Sequence, residues 1–137
     1  MALILDSSGT IALLNSGDAT HRQCIEAASA HDELIVPPLT LVEVDHWCRK
    51  ASASRAFAQF IADLRHGAYS LASLELDDAV RSLELAERYA DLDLGIVDAS
   101  VVALSERLKV TSVLTLDRRD FSVVRPRHCA SLTLLPA

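Results

Sequence analysis

Short apolar runs alternate along the chain with longer stretches in which apolar residues recur every three or four positions. The short runs, which end on a polar residue or a turn, predict strands at 2–6, 34–36, 69–74, 112–116 and 132–135. The longer stretches have helical spacing and predict helices at 8–15, 19–30, 39–50, 54–66, 77–90 and 95–108. A turn or short helix is expected at 117–121. Within 77–90, the spacing predicts that Ala79, Val80, Leu83 and Ala86 face inward.

This alternation of single strands with one or two helices predicts an α/β fold with a mostly parallel central sheet flanked by helices. No repeat, low-complexity tract or linker interrupts the pattern, so residues 1–137 are expected to form a single domain. In folds of this class, functional groups gather at the carboxyl ends of the strands. That rule singles out Asp6 and Asp117, because each of them directly follows a predicted strand.

Composition agrees with this fold and narrows the setting. Half of the residues are apolar but only 4% are aromatic, which suits a core of aliphatic side chains between helices and a parallel sheet. No apolar run approaches the length of a membrane span, and the first one meets Asp6 too early for a signal peptide. Cys24, Cys48 and Cys129 are odd in number and lack ligand spacing, which favours reduced thiols. We therefore expect a cytoplasmic protein with no membrane segment.

The net charge of -6, from 13 Lys and Arg against 19 Asp and Glu, is unusual for a nucleic-acid-binding protein. Acidic residues gathered around a metal ion would not oppose such binding, so their positions matter. Glu43 lies in an apolar stretch at 39–44, and Asp98 lies in an apolar helix with no Lys or Arg within four residues. An isolated buried carboxylate is costly, so each of these acids indicates a site or a distant partner.

Local roles for three of these acids remain open on sequence grounds. Asp6 and Asp117 are each placed to cap the helix that follows. Glu43 would be favoured in the first turn of its helix by the helix dipole. Asp120 is expected to pair with one of the arginines beside it.

Convergence of Asp6, Glu43, Asp98 and Asp117 would require a counter-charge. Two carboxylates about 5 Å apart repel by roughly 3 kcal/mol at an effective dielectric near 20. All-oxygen clusters suit Mg²⁺ or Mn²⁺, whereas zinc would need His or Cys at ligand spacing. Such an ion activates water for phosphodiester hydrolysis without a covalent enzyme intermediate.

The four segments that carry these acids resemble, in order, the motifs of PIN-domain ribonucleases, and specifically those of the VapC toxins of type II toxin–antitoxin systems. The segments are Ile4-Leu5-Asp6-Ser7-Ser8, Val36 to Val44 around Glu43, Leu94 to Ala99 around Asp98, and Leu114-Thr115-Leu116-Asp117 with the residues after it. The family's first motif is usually Asp-Thr-Ser-Ala, and here Gly9 replaces the Ala. The resemblance spans nearly the whole chain.

The resemblance implies a PIN-like three-layer α/β/α sandwich and a set of site residues. Asp6 and Asp98 would be the principal Mg²⁺ ligands, Glu43 and Asp117 would complete the acidic pocket, and Mn²⁺ would substitute for Mg²⁺. Ser8 and Thr115 would hold carboxylates in place with their hydroxyl groups.

The resemblance also implies partners. A VapB-type antitoxin would lay its C-terminal segment near the acids, the toxin would form a homodimer, and the substrate would be a transfer, ribosomal or messenger RNA. Arg118, Arg119 and Arg125 cluster after the fourth motif and are expected to contact RNA phosphates.

Other families with an aspartate after the first strand fit less well. A phosphatase of the haloacid dehalogenase type would need an acid in place of Ser8 and a later catalytic lysine. A receiver domain would need a lysine after a late strand, and the chain has only Lys50 and Lys109. A non-catalytic binding module, whose acids receive a basic segment of a partner protein, stays open because such a module uses the same residue types.

Overall fold

The computed structural model, which describes residues 1–137, contains one sheet of five strands. These are β1 (Ala2–Leu5), β2 (Glu33–Val36), β3 (Ser70–Leu71), β4 (Ser112–Leu114) and β5 (Thr133–Leu135). They run in the order β3-β2-β1-β4-β5, and every neighbouring pair is parallel. The mostly parallel sheet of the prediction is therefore entirely parallel. β1 is central, which places the residue that follows it, Asp6, in the middle of the carboxyl edge of the sheet.

Seven helices connect and cover the strands. They are α1 (Ser7–Leu14), α2 (His21–Ser29), α3 (Thr40–Lys50), α4 (Ser54–Arg65), α5 (Leu76–Arg88), α6 (Ile96–Leu108) and α7 (Arg118–Val123), with a 3₁₀ turn at Ala90–Leu92. Each predicted helix is confirmed to within two residues at its ends. The strand expected at 69–74 is reduced to two residues, because β3 is an edge strand that pairs only with the end of β2. None of the helices combines the length and apolar character that a membrane span requires.

The sheet separates two cores, as expected for a three-layer sandwich. Leu3 and Leu5 of β1 pack on one side with buried residues of α1, α2 and α4. Ile4 faces the other side and packs with buried residues of α5, α6 and α7. Successive side chains of a strand point to opposite faces, so the continuous apolar run of β1 serves both layers.

Helix α5 is rotated away from the orientation that its apolar spacing predicts. Val80 and Leu83, expected to face inward, are 50% and 58% exposed, and the buried positions are Asp78, Ser82 and Leu85. The cause is electrostatic, because α5 meets α6 through ion pairs. The pairs are Asp78 with Arg107 and Arg81 with Glu106.

Gly9 in the first motif lets α1 pack directly on the backbone of β4. A methyl group at this position would overlap the Leu114 carbonyl group, whose carbon would lie 2.8 Å away. Backbone atoms of a central strand cannot move aside cheaply. We therefore expect Gly9→Ala to lower the free energy of unfolding by about 1 to 3 kcal/mol, measured by urea denaturation.

Gly17→Ala is the matched control for this substitution. A methyl group at position 17 would meet only the Asn15 side-chain oxygen, at 3.3 Å. That oxygen accepts the Gly17 N–H, but it is the end of a side chain that can move by a few tenths of an ångström. The control should unfold at a urea concentration close to the midpoint of the parent protein. Equal stability of both variants would contradict the close packing of α1 on β4.

Candidate metal centre

The structure brings the four predicted acids to one edge of the sheet from four separate segments. Asp6 follows β1, Glu43 lies on α3, Asp98 lies in the first turn of α6, and Asp117 lies between β4 and α7. Their proximity is electrostatic as well as spatial. The negative charges of Asp6, Asp117 and Glu43 each raise the pKa of Asp98.

Asp6 is almost fully buried and only half satisfied. It is 3% exposed, and its Oδ2 accepts hydrogen bonds from Thr115 Oγ1 at 2.8 Å and Ser8 Oγ at 3.1 Å. Its Oδ1 is buried and has no hydrogen-bond partner, and the side chain makes no capping bond to α1. Burial raises the pKa of Asp6, opposed by these hydrogen bonds. An unsatisfied buried carboxylate oxygen is costly, which is the situation that a bound cation relieves.

The hydroxyl groups of Ser8 and Thr115 join the first and fourth motifs. Their oxygens lie 3.3 Å apart, and both contact Asp6. Ser8 Oγ also accepts the Leu116 backbone N–H at 2.9 Å, and Thr115 Oγ1 accepts the Asp117 N–H at 3.0 Å. One network therefore orients the Asp6 carboxylate and the backbone that carries Asp117.

Glu43 is held by Ser7, a residue for which the sequence pattern predicts no role in the site. The Ser7 hydroxyl, at the start of α1, donates a hydrogen bond to Glu43 Oε1. Glu43 itself is exposed on α3, whereas Ser7 is buried. The available signal was a hydroxyl residue directly after Asp6, but its partner lies 36 positions away and only the fold reveals it.

The pKa of Asp98 is strongly raised by its surroundings. Burial, followed by the charges of Asp6, Asp117, Glu43 and Asp120, raises its pKa to about 7. Its carboxyl group is therefore partly protonated near neutral pH when no cation is bound. A cation at this position would favour the ionised form.

Asp120 joins the cluster, and the expected pairing of Asp120 with a neighbouring arginine is wrong. Carboxylate oxygens of Asp98, Asp117 and Asp120 all lie within 4.8 Å of one another. Arg118 instead donates to the backbone oxygens of Leu134 and Pro136, at 3.3 and 2.8 Å. The helical spacing of Asp117 and Asp120 was visible in the sequence, but the direction taken by Arg118 was not.

The three arginines proposed for RNA contact differ in their surroundings. Arg125 donates to the backbone oxygens of Ser122 and Val124 at the end of α7. Arg118 is tied to the C-terminal strand as described above, whereas the Arg119 side chain is exposed and forms no ion pair or hydrogen bond within the protein. A guanidinium has five N–H donors, so Arg118 and Arg125 also retain donors for a further ligand.

The donor set fits a hard divalent cation. None of Asp6, Glu43, Asp98, Asp117 and Asp120 forms an ion pair with a lysine, arginine or histidine. Every candidate ligand atom is a carboxylate oxygen, and no His or Cys joins the group. The unpartnered Oδ1 of Asp6 supplies a buried ligand atom that needs no rearrangement of its hydrogen bonds.

The site is accessible from solvent. Glu43 is exposed and the Asp98, Asp117 and Asp120 side chains are half-buried, so a ligand from solvent can reach these acids. A cavity of about 600 Å³ lies elsewhere, at the amino end of β1, with Met1, Lys109 and Thr111 among its lining residues. None of the five acids lines it.

The chain matches known proteins in sequence and in fold. The family model described as PIN domain matches residues 3–125. Ribonuclease VapC26 of Mycobacterium tuberculosis is 29% identical over 137 residues, which cover 98% of this chain and 100% of that protein.

Solved structures share the fold at lower identity. The VapC20 toxin of M. tuberculosis, described as cleaving the sarcin-ricin loop, is 18% identical with a TM-score of 0.76, covering 85% of this chain and 91% of that chain. VapBC2 of Rickettsia felis, bound to a promoter DNA fragment, is 14% identical with a TM-score of 0.69, covering 98% and 97%.

Proposed function

The chain belongs to the PIN domain family, and on that basis we propose that it is a metal-dependent endoribonuclease and the toxin of a VapBC-type toxin–antitoxin pair. The observation that carries the proposal is the convergence of Asp6, Glu43, Asp98 and Asp117 around a buried carboxylate oxygen that has no partner. The similarity to a named ribonuclease along the whole chain supports the same activity.

In this proposal the residues act on a phosphodiester bond of RNA. Asp6 and Asp98 hold Mg²⁺, or Mn²⁺ in its place, and Glu43 and Asp117 complete the pocket. An ion held there would supply a nucleophilic water at neutral pH and would offset the charge that develops on the phosphate.

In this proposal, hydroxyl groups around the site keep the acids in position. Ser8 and Thr115 hold Asp6 with Oδ2 occupied, which leaves Oδ1 as the atom available to the cation. Ser7 restrains Glu43, the most exposed of the acids, on the outer side of the site. Glu43 and Asp117 are placed to orient the attacking water.

RNA contact is proposed for Arg118, Arg119 and Arg125. Because Arg119 has no partner in the protein, we expect it to contribute most to phosphate binding, while Arg118 and Arg125 use their remaining donors. Such contacts would place the backbone of a transfer, ribosomal or messenger RNA beside the acids.

The proposed partner is a VapB-type antitoxin that covers the acidic site. Val42, next to Glu43 on α3, is 70% exposed, and Ile61 on α4, which packs against α3, is also exposed. These apolar side chains would be buried by an antitoxin segment while its basic groups meet the carboxylates. A homodimer of the toxin is proposed on the family resemblance.

Cleavage assays with the purified, antitoxin-free protein test this function. Structured RNAs of the three classes should be cut internally in Mg²⁺ or Mn²⁺ and left intact in EDTA. Glu43→Gln should lower the rate by about 10- to 100-fold, because the acid that orients water loses its charge.

Glu87→Gln, on the exposed face of α5, is the matched control and should cleave at the parent rate. Cleavage that persists in EDTA would contradict the metal-dependent mechanism. Absence of cleavage of any RNA, with tight binding of a basic partner segment, would favour the non-catalytic binding module.

A further inference from the structure

Asp120 occupies a position in α7 that local structure does not explain. Asp117 and Asp120 stand three residues apart at the start of the helix, where such a pair often forms reciprocal capping bonds. Here α7 has no side-chain capping bond, and the Asp117 N–H is taken by Thr115. Both carboxylates instead approach Asp98 on α6.

Nearby cations do not account for this arrangement. Arg118 is directed to the backbone oxygens of the C-terminal strand, and Arg119 forms no ion pair. Three carboxylates within 4.8 Å of one another are thus left with no positive group. Like charges at this separation repel, so the cluster needs a counter-ion or a shared proton.

A second, independent observation favours a counter-ion over a shared proton. Asp6 lies close enough to the cluster for its charge to raise the pKa of Asp98. It is 3% exposed, and its Oδ1 has no donor. Ser8 and Thr115 already occupy the other oxygen. A divalent cation accepts electron pairs from several oxygens at once. It would therefore balance the charge of the cluster and give the buried Asp6 oxygen a partner.

We propose that Asp120 is a fifth acid of the site and binds the divalent cation directly, together with Asp98 and Asp117. The inference rests on the proposed function, which needs a cation but assigns Asp120 no part in holding it. Asp117 precedes α7 and Asp120 lies in its first turn, and one oxygen from each lies within 4.8 Å of an oxygen of Asp98. Small side-chain rotations would bring all three onto one ion.

Titration of Mn²⁺ by calorimetry, with no RNA present, tests the assignment directly. Asp120→Asn should weaken Mn²⁺ binding by about 10- to 100-fold, a loss typical when a residue around a metal site is removed. Asp77→Asn is the matched control, since Asp77 is an exposed helical acid next to the far end of α6. It should bind as tightly as the parent.

Thermal unfolding supplies a second readout that a purely structural role would not produce. In EDTA, Asp120→Asn should melt above the parent, because one repelling charge is gone. In saturating Mn²⁺ its melting temperature should rise less than that of the parent. A residue that merely supports α7 would instead lower the melting temperature under both conditions and leave the affinity of the folded protein unchanged.

Asp120→Ser repeats both measurements with a smaller side chain, so one poorly folding substitution does not decide the result. If both variants bind Mn²⁺ like the parent while the parent cleaves RNA in a metal-dependent manner, Asp120 is not a ligand and the proposed function stands. If the parent itself neither binds Mn²⁺ nor cleaves RNA, both proposals fail.

Discussion

Replacement of Asp98 by asparagine should reduce metal-dependent RNA cleavage by about 1,000-fold or more and, at pH 8, make the metal-free protein more stable. Asp98 is proposed as a principal ligand of an ion worth several kcal/mol of transition-state stabilisation, and each 1.36 kcal/mol corresponds to about tenfold in rate. The gain in stability has the opposite sign because the same carboxylate is repelled by its neighbours in the absence of a cation.

The dependence on pH follows from the raised pKa of Asp98. Its ordinary value is 3.8 and its value in the folded protein is about 7, so folding without metal favours the protonated form. The contribution of this group to stability is complete below about pH 4 and is lost as the pH rises to about 7. In EDTA, the parent melting temperature should therefore fall over this interval relative to that of Asp98→Asn.

Melting curves from pH 4 to 9, with and without Mg²⁺, measure this difference. Asp77→Asn should follow the parent at every pH, because it removes a charge outside the site. Saturating Mg²⁺ should restore the parent at high pH and leave Asp98→Asn nearly unchanged. Undiminished cleavage by Asp98→Asn, or a lower melting temperature than the parent at pH 8 in EDTA, would contradict the role assigned to Asp98.

Replacement of Arg81 by methionine should lower the free energy of unfolding by about 3 to 5 kcal/mol. Arg81 donates to both oxygens of Glu106, from Nε at 2.8 Å and from Nη2 at 3.0 Å, and the two side chains are only 12% and 10% exposed. Without Arg81, a buried carboxylate loses its main counter-charge. Glu106 also accepts the Arg127 N–H, so the pair fixes α5 and the segment after α7 to the helix that carries Asp98.

Urea denaturation of three variants tests this effect. Arg65→Met, which alters an exposed arginine without an ion pair, should change stability by less than about 0.5 kcal/mol. The double variant Arg81→Met/Glu106→Met should recover most of the loss, since replacement of both partners by apolar groups is often neutral. A single variant as stable as the double variant would show that burial of an unpaired Glu106 is not the cause.

The positions of most strands and helices follow from the local sequence pattern. The buried face of a helix and its contacts with other elements do not. β1 and β4 were predictable because a short apolar run with a polar end is a strong strand signal. The inward face of α5 was not, since Val80 and Leu83 have the right spacing but the ion pairs with α6 turn the helix elsewhere. The spacing of apolar residues within one helix contains no information about charges on another helix.

The sequence by itself determined where the principal acids stand: Asp6 and Asp117 after predicted strands, Glu43 in an apolar stretch and Asp98 in an apolar helix. Parallel strands bring their carboxyl ends to one edge, so the convergence of Asp6 and Asp117 follows from element order alone. Only the tertiary structure decided that Ser7 holds Glu43 and that Asp120 faces Asp98 rather than an adjacent arginine. These contacts depend on side-chain directions across packed elements, and such directions are set by neighbours that are distant in the chain.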